Sequence, residues 1–157
     1  MPNMQPIRMF LLALAMGLWG VVMAGGPVTW TFAATALGSD TVQVLLTADC
    51  GPGWHIYALD LQADEGPLPT VITLGDGKAY HLAGALMAPP ATEAFDTAFA
   101  MPVKYHAGKA TFTQNIRRTT TEAFMVSGTV EYMACNDRTC LPPKTVEFTL
   151  NVPPSLH

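Results

Sequence analysis

Apolar and polar side chains change places at nearly every residue along much of this chain. Val28, Trp30, Phe32 and Ala34 alternate with Thr29, Thr31 and Thr35. Val42, Val44, Leu46 and Ala48 alternate with Thr41, Gln43, Thr47 and Asp49, and Val146, Phe148, Leu150 and Val152 with Thr145, Glu147, Thr149 and Asn151. Successive side chains of an extended strand point to opposite faces, so each run predicts a strand with one buried and one solvated face. Gly38-Ser39-Asp40 is a turn sequence between the first two, which predicts that they pair as a hairpin. Shorter candidates occupy 54–59, 70–74, 80–86, 101–106, 110–117 and 124–134. Gly51-Pro52-Gly53, Gly66-Pro67, Gly75-Asp76-Gly77, Pro89-Pro90 and Ala107-Gly108 separate them. No segment of ten or more residues carries a helical stripe, and no repeat or linker divides the chain. Eight or nine short strands predict an all-β fold, a single-domain immunoglobulin-like β-sandwich.

The first 24 residues have a different character. Arg8 precedes an almost wholly apolar run over 9–22, and Val22-Met23-Ala24 follows with small or aliphatic residues. This is the form of a secretory signal peptide, with cleavage expected after about Ala24 and a mature domain over 25–157. The apolar run is shorter than the ~20 residues needed to span a bilayer, so no stable membrane insertion is expected after cleavage. The formal charge is −4, and no basic cluster occurs, which argues against nucleic acid and anionic lipid as partners. Export implies an oxidising compartment in which cysteine pairs form disulfides. The chain has three cysteines, so at least one thiol stays outside any internal pair.

Two of the three, Cys135 and Cys140, frame a polar turn at the end of the 124–134 candidate and are followed by Leu141-Pro142-Pro143. Val126, Gly128, Val130, Tyr132 and Ala134 share the apolar face of that candidate. Cys135 is therefore expected on the other, accessible side. The prolines stiffen the exit, since each fixes φ and restricts the residue before it. Three chemistries suit such a pair. Thiol–disulfide exchange needs neighbouring sulfurs and a group that favours a thiolate, a role open to Arg138, with Asp137 opposing it or accepting a proton. A structural staple closes a hairpin, although a loop this short stabilises by only about 2 kcal/mol on the chain-entropy account. A zinc half-site needs two further ligands, and the histidines show no suitable spacing.

Four blocks carry a family resemblance. Gly53-Trp54-His55-Ile56-Tyr57-Ala58, Gly66-Pro67-Leu68-Pro69-Thr70, Phe99-Ala100-Met101-Pro102-Val103-Lys104-Tyr105 and the stretch from Tyr132 to Pro143 resemble, in order, blocks of the DsbD N-terminal domain family. These are periplasmic immunoglobulin-like domains of a transmembrane thiol:disulfide reductase. The resemblance implies periplasmic thiol:disulfide exchange without a cofactor. Electrons would arrive from a thioredoxin-like domain or membrane thiol reductase and pass to periplasmic disulfide proteins. Carried over by position, Cys140 resembles the cysteine that forms the mixed disulfide and Cys135 the one that resolves it. Family members shield the pair with a cap loop bearing an aromatic residue. The matching stretch here, 89–97, offers Phe95 as the cap, with Glu93 or Asp96 raising the pKa of a nearby thiol. Better-known members place five residues between the cysteines where this chain has four. The sequence ends at His157 with neither a membrane-spanning nor a thioredoxin-like domain, so the expectation is that the domain meets its donor as a separate protein or serves a different redox route.

The remaining residues with chemical potential are fewer. Cys50 is read as an unpaired thiol in or under a loop, and Trp54, His55 and Tyr57 as core residues with polar handles. The competing function is a non-catalytic binding module with a structural disulfide or a Cu(I) site, for which Met133 and Met87 are soft ligands. No phosphate-binding loop, G-x-S-x-G or H-E-x-x-H motif supports nucleotide or hydrolase chemistry.

Overall fold

Strands form where the alternation places them. The computed structural model describes residues 21–23, 26–61, 66–75 and 77–155. Its strands in chain order are β1 Val21–Met23, β2 Val28–Ala36, β3 Thr41–Cys50, β4 His55–Tyr57, β5 Val71–Leu74 and β6 Tyr80–Met87. They continue with β7 Thr92–Asp96, β8 Met101–Ala107, β9 Lys109–Arg118, β10 Phe124–Tyr132, β11 Ala134–Cys135 and β12 Lys144–Val152. These make three antiparallel sheets in the orders β1-β2-β3-β9-β6, β12-β10-β5 and β11-β4-β8-β7. The fold is all-β, as the alternation predicts, and β2 and β3 pair in the expected hairpin.

The main core lies between the five- and three-stranded sheets. Trp30, Phe32, Leu46, Phe112 and Ile116 from the first sheet and Val126, Val130, Phe148 and Leu150 from the second are buried in one cluster. Phe32 stacks on Phe148 across the sandwich at 4.4 Å, and Trp30 meets Tyr132 at 5.7 Å. Gly128 is required by this packing. A Cβ there would approach the Thr73 carbonyl oxygen to 2.4 Å and the Phe148 ring to 2.6 Å.

Three features depart from the expected order. The 124–134 candidate is two strands, since the chain leaves the three-stranded sheet at Met133 and enters the small sheet as β11. Residues 92–96, expected within a cap loop, form strand β7 at the edge of that small sheet. The expected signal peptide falls mostly outside the described residues, as does the cleavage point at Ala24. Its Val21–Met23 segment pairs antiparallel with Trp30–Phe32 as β1. Among the described residues no helix is long and apolar enough to cross a membrane.

Candidate functional site: a disulfide hairpin on the small sheet

Cys135 and Cys140 form a disulfide, with S–S 1.98 Å and Cα–Cα 4.0 Å. Local hydrogen bonds build its hairpin. The Asn136 N–H donates to the Thr139 carbonyl at 2.9 Å, and the Leu141 N–H to the Ala134 carbonyl at 2.8 Å. Inside the turn, Asn136 Oδ1 accepts from the backbone N–H of Arg138 at 2.8 Å and of Thr139 at 2.9 Å. A short amide side chain satisfying the backbone two and three residues on is what makes Asn a turn former. Asp137 and Arg138 occupy the exposed tip.

The surroundings of the two sulfurs are unequal. Cys135 is 1% exposed and packs in a second apolar cluster with Tyr57 and Val103, bordered by Leu61, Met101, Tyr105, Met133 and Cys140. Cys140 is half-buried. The sequence expectation for Cys135 is corrected in one respect. Its side chain does lie on the face opposite the main core, because Ala134 faces that core. The opposite face is not solvated, however; it carries the second cluster. Alternation fixes a side chain's face, and only tertiary packing decides whether that face is covered.

Cross-strand register identifies the groups beside the disulfide. Cys135 stands opposite His55 in the β11–β4 pair, and Tyr57 opposite Tyr105 in the β4–β8 pair. The His55 ring is half-buried, edge-on to Tyr57 at 5.3 Å and tilted against Tyr105 at 4.7 Å. Tyr57 is wholly buried, and its hydroxyl donates to Asp96 Oδ2 at 2.8 Å. Asp96 Oδ1 accepts from the N–H groups of Ala98 at 2.8 Å and Phe99 at 3.2 Å, closing the β7–β8 turn. A single carboxylate thus ties the edge hairpin to the floor of the disulfide cluster.

This setting polarises the titratable groups. Burial, reinforced by the Asp96 carboxylate, pushes the Tyr57 phenol well above its ordinary range. Asp96 has burial working against its charge, yet the hydrogen bonds from Tyr57, Phe99 and Ala98 and the nearby His55 hold its carboxyl below the usual value. Burial lowers the His55 imidazole, while the charges of Asp96 and Asp137 oppose that shift. Arg138 contributes to the turn through its backbone N–H.

Phe95 is not at the disulfide. Asp96 pairs with Met101 and so shares the face of Val103, Tyr105, Tyr57 and Cys135, whereas Phe95 pairs with Pro102 on the reverse face. It is 64% exposed there. The residue of this hairpin that reaches the cluster is Asp96. Sequence reading named Asp96 but passed over His55, Tyr57 and Asn136 as site residues. Asn136, opening a short polar turn, carried a readable signal; the other two become neighbours only through strand register.

Cys50 lies elsewhere, in the main core, 5% exposed, with its thiol donating to the His106 carbonyl at 3.8 Å. Burial and the adjacent Asp49 push its pKa to about 11, so this thiol is poorly ionised at neutral pH. Among the described residues no three His, Cys, Asp or Glu side chains gather as metal ligands. Met133 borders the disulfide cluster, while Met87 ends β6 in another sheet and is 66% exposed.

Comparison with known proteins now bears on this geometry. The N-terminal periplasmic domain of ScsB from Proteus mirabilis is similar in structure at a TM-score of 0.57 and 15% identity, covering 88% of this chain and 52% of that one. The chain therefore spans about half of that structure, and at such identity the likeness speaks to the fold. The DsbD N-terminal domain of Neisseria meningitidis in its reduced form aligns at a TM-score of 0.49 and 16% identity over 80% of this chain and 88% of that one. A GAE domain of GGA2p from Saccharomyces cerevisiae aligns at 0.47 and 14% identity over 83% and 96%. No curated protein matches the chain. The sequence profile of the family described as thiol:disulfide interchange protein DsbD, N-terminal, matches residues 27–152, which takes in every strand from β2 to β12 and both bonded cysteines. The match spans most of the chain, the disulfide hairpin and its small sheet included, and the chain belongs to the DsbD N-terminal domain family.

Proposed function

We propose that this domain relays electrons in the periplasm by thiol–disulfide exchange through Cys135 and Cys140. A thioredoxin-like domain or membrane thiol reductase reduces the pair, and the dithiol then reduces disulfides of other periplasmic proteins. The observation that carries this reading is the unequal burial of the two sulfurs. A half-buried Cys140 is open to an approaching partner, while Cys135 stays covered until needed. Exchange runs through a mixed disulfide formed by whichever thiol is accessible and is resolved by its neighbour. Cys140 accordingly forms the intermolecular bond, and Cys135 releases it.

Family membership supports the same reading. So does the short span of the bridge, which stabilises a domain with a full aromatic core by only about 2 kcal/mol. Trapping tests it. Cys135→Ser leaves Cys140 without its resolving partner and should accumulate mixed disulfides with periplasmic proteins, whereas Cys140→Ser should trap far less. Equal trapping by the two variants, or none by either, overturns the assignment.

A further inference from the structure

We infer that His55 is the proton acceptor for the Cys135 thiol as that thiol becomes the resolving nucleophile. The inference rests on the relay reading and gives the buried half of the pair a route to its thiolate.

The need follows from burial. A thiol in apolar surroundings resists ionisation, because the charged form loses its hydration. Cys135 sits among Tyr57, Val103, Tyr105 and Met133, with almost no surface of its own. His55 stands directly opposite it across an antiparallel pair. Facing residues of such a pair have Cβ atoms about 4.5–5.5 Å apart on one face, within reach of an imidazole. The ring is held by aromatic contacts with Tyr57 and Tyr105, which leaves its nitrogens for a proton. It is half-buried, so it can collect a proton from the covered sulfur and deliver it outward.

The charges around it suit the task. Asp96 from β7 and Asp137 from the hairpin tip both act on the imidazole, and Tyr57 and Tyr105 flank it from β4 and β8. Burial keeps the free base neutral, and the two carboxylates stabilise the imidazolium once it forms. In the forward direction the Cys140 thiolate attacks an acceptor disulfide, and one acceptor sulfur leaves as thiolate. Cys135 then gives its proton to His55, and its electron pair forms the bond to Cys140. The second acceptor sulfur leaves with the electrons of the broken mixed disulfide. The pair has lost two electrons, the acceptor has gained two, and the imidazolium returns its proton to solvent or to the departing thiolate.

Stopped-flow reaction of the reduced protein with 5,5′-dithiobis(2-nitrobenzoate) separates the steps, since mixed-disulfide formation and resolution each release one coloured thiolate. His55→Gln should leave the first release near its wild-type rate and slow the second by about 10-fold or more at neutral pH, at the low end of what a positioned base supplies. Raising the pH into the thiol range, or adding imidazole, should restore the second release. A variant that matches the wild type in rate and pH profile overturns the role of His55 while leaving the relay intact. A wild-type protein that gives no second release overturns the relay itself. Should His55→Gln fail to fold, the wild-type profile decides. A break in the second release at the His55 pKa measured by NMR supports the inference, and a single break in the thiol range contradicts it.

Discussion

Two apolar clusters in this domain do different work. The larger one lies between two long-stranded sheets, and its aromatic members, Trp30, Phe32, Phe112 and Phe148, pack mainly on one another. The smaller one draws on short strands, three residues in β4 and two in β11, and combines apolar packing with Tyr57, Asp96, His55 and the Cys135–Cys140 disulfide. The first holds the fold; the second is held by it. On the proposed relay, a reactive pair can sit on so small a cluster because the stability of the domain comes from elsewhere.

That division makes quantitative predictions. Phe32→Ala removes a wholly buried ring stacked across the sandwich and should cost about 3–5 kcal/mol in denaturant unfolding, with exchange per folded molecule unchanged. Replacing both Cys135 and Cys140 by alanine should abolish exchange yet cost only about 2 kcal/mol by the same measurement. A double-alanine loss as large as that of Phe32→Ala would make the disulfide a structural staple and erase the distinction.

Asn136→Ala acts more gently. It removes the acceptor of two turn N–H groups, each worth roughly 0.5–1.5 kcal/mol net, and loosens the hairpin that holds the sulfurs together. A loss of about 1 kcal/mol from the oxidised form corresponds to a reduction potential about 20 mV less negative. An unchanged potential would mean that the dithiol keeps the same turn.

The smallest effect is a pH dependence confined to the second cluster. Asp96 has a carboxyl pKa held below its unfolded value, so its contribution is present above the ordinary carboxylate range and is lost as pH falls through the lowered value. Acid titration followed by amide exchange in the β7–β8 hairpin should show loosening below about pH 4, and Asp96→Asn should flatten that dependence. Loosening that persists unchanged in the variant would assign it to another group.

The same contrast explains what could be read from the sequence. Strands β2, β3 and β12 were legible because each has one face in the main core and one in water, so burial is written as alternation. Thr92–Asp96 was not, since an edge strand that is mostly exposed carries no such signal and its Pro89-Pro90 lead-in reads as loop. The bonded pair was legible through its spacing and the prolines behind it. Its environment was not. The covered outer face of Cys135, the reverse-facing Phe95 and the neighbouring His55 all follow from the register of β11, β4, β8 and β7, which joins segments 80 residues apart in sequence (Cys135 against His55).

The central claim is that Cys135 and Cys140 exchange electrons rather than merely close a loop, and the equilibrium reduction potential of the pair tests it most directly. Mass-resolved alkylation in thiol buffers, with Cys50 counted separately after unfolding, gives the value. A potential less negative than about −300 mV, with ready reduction by a thioredoxin-like donor, is the predicted result. A much more negative potential, with no reduction by such a donor, would contradict the account and leave the hairpin a staple.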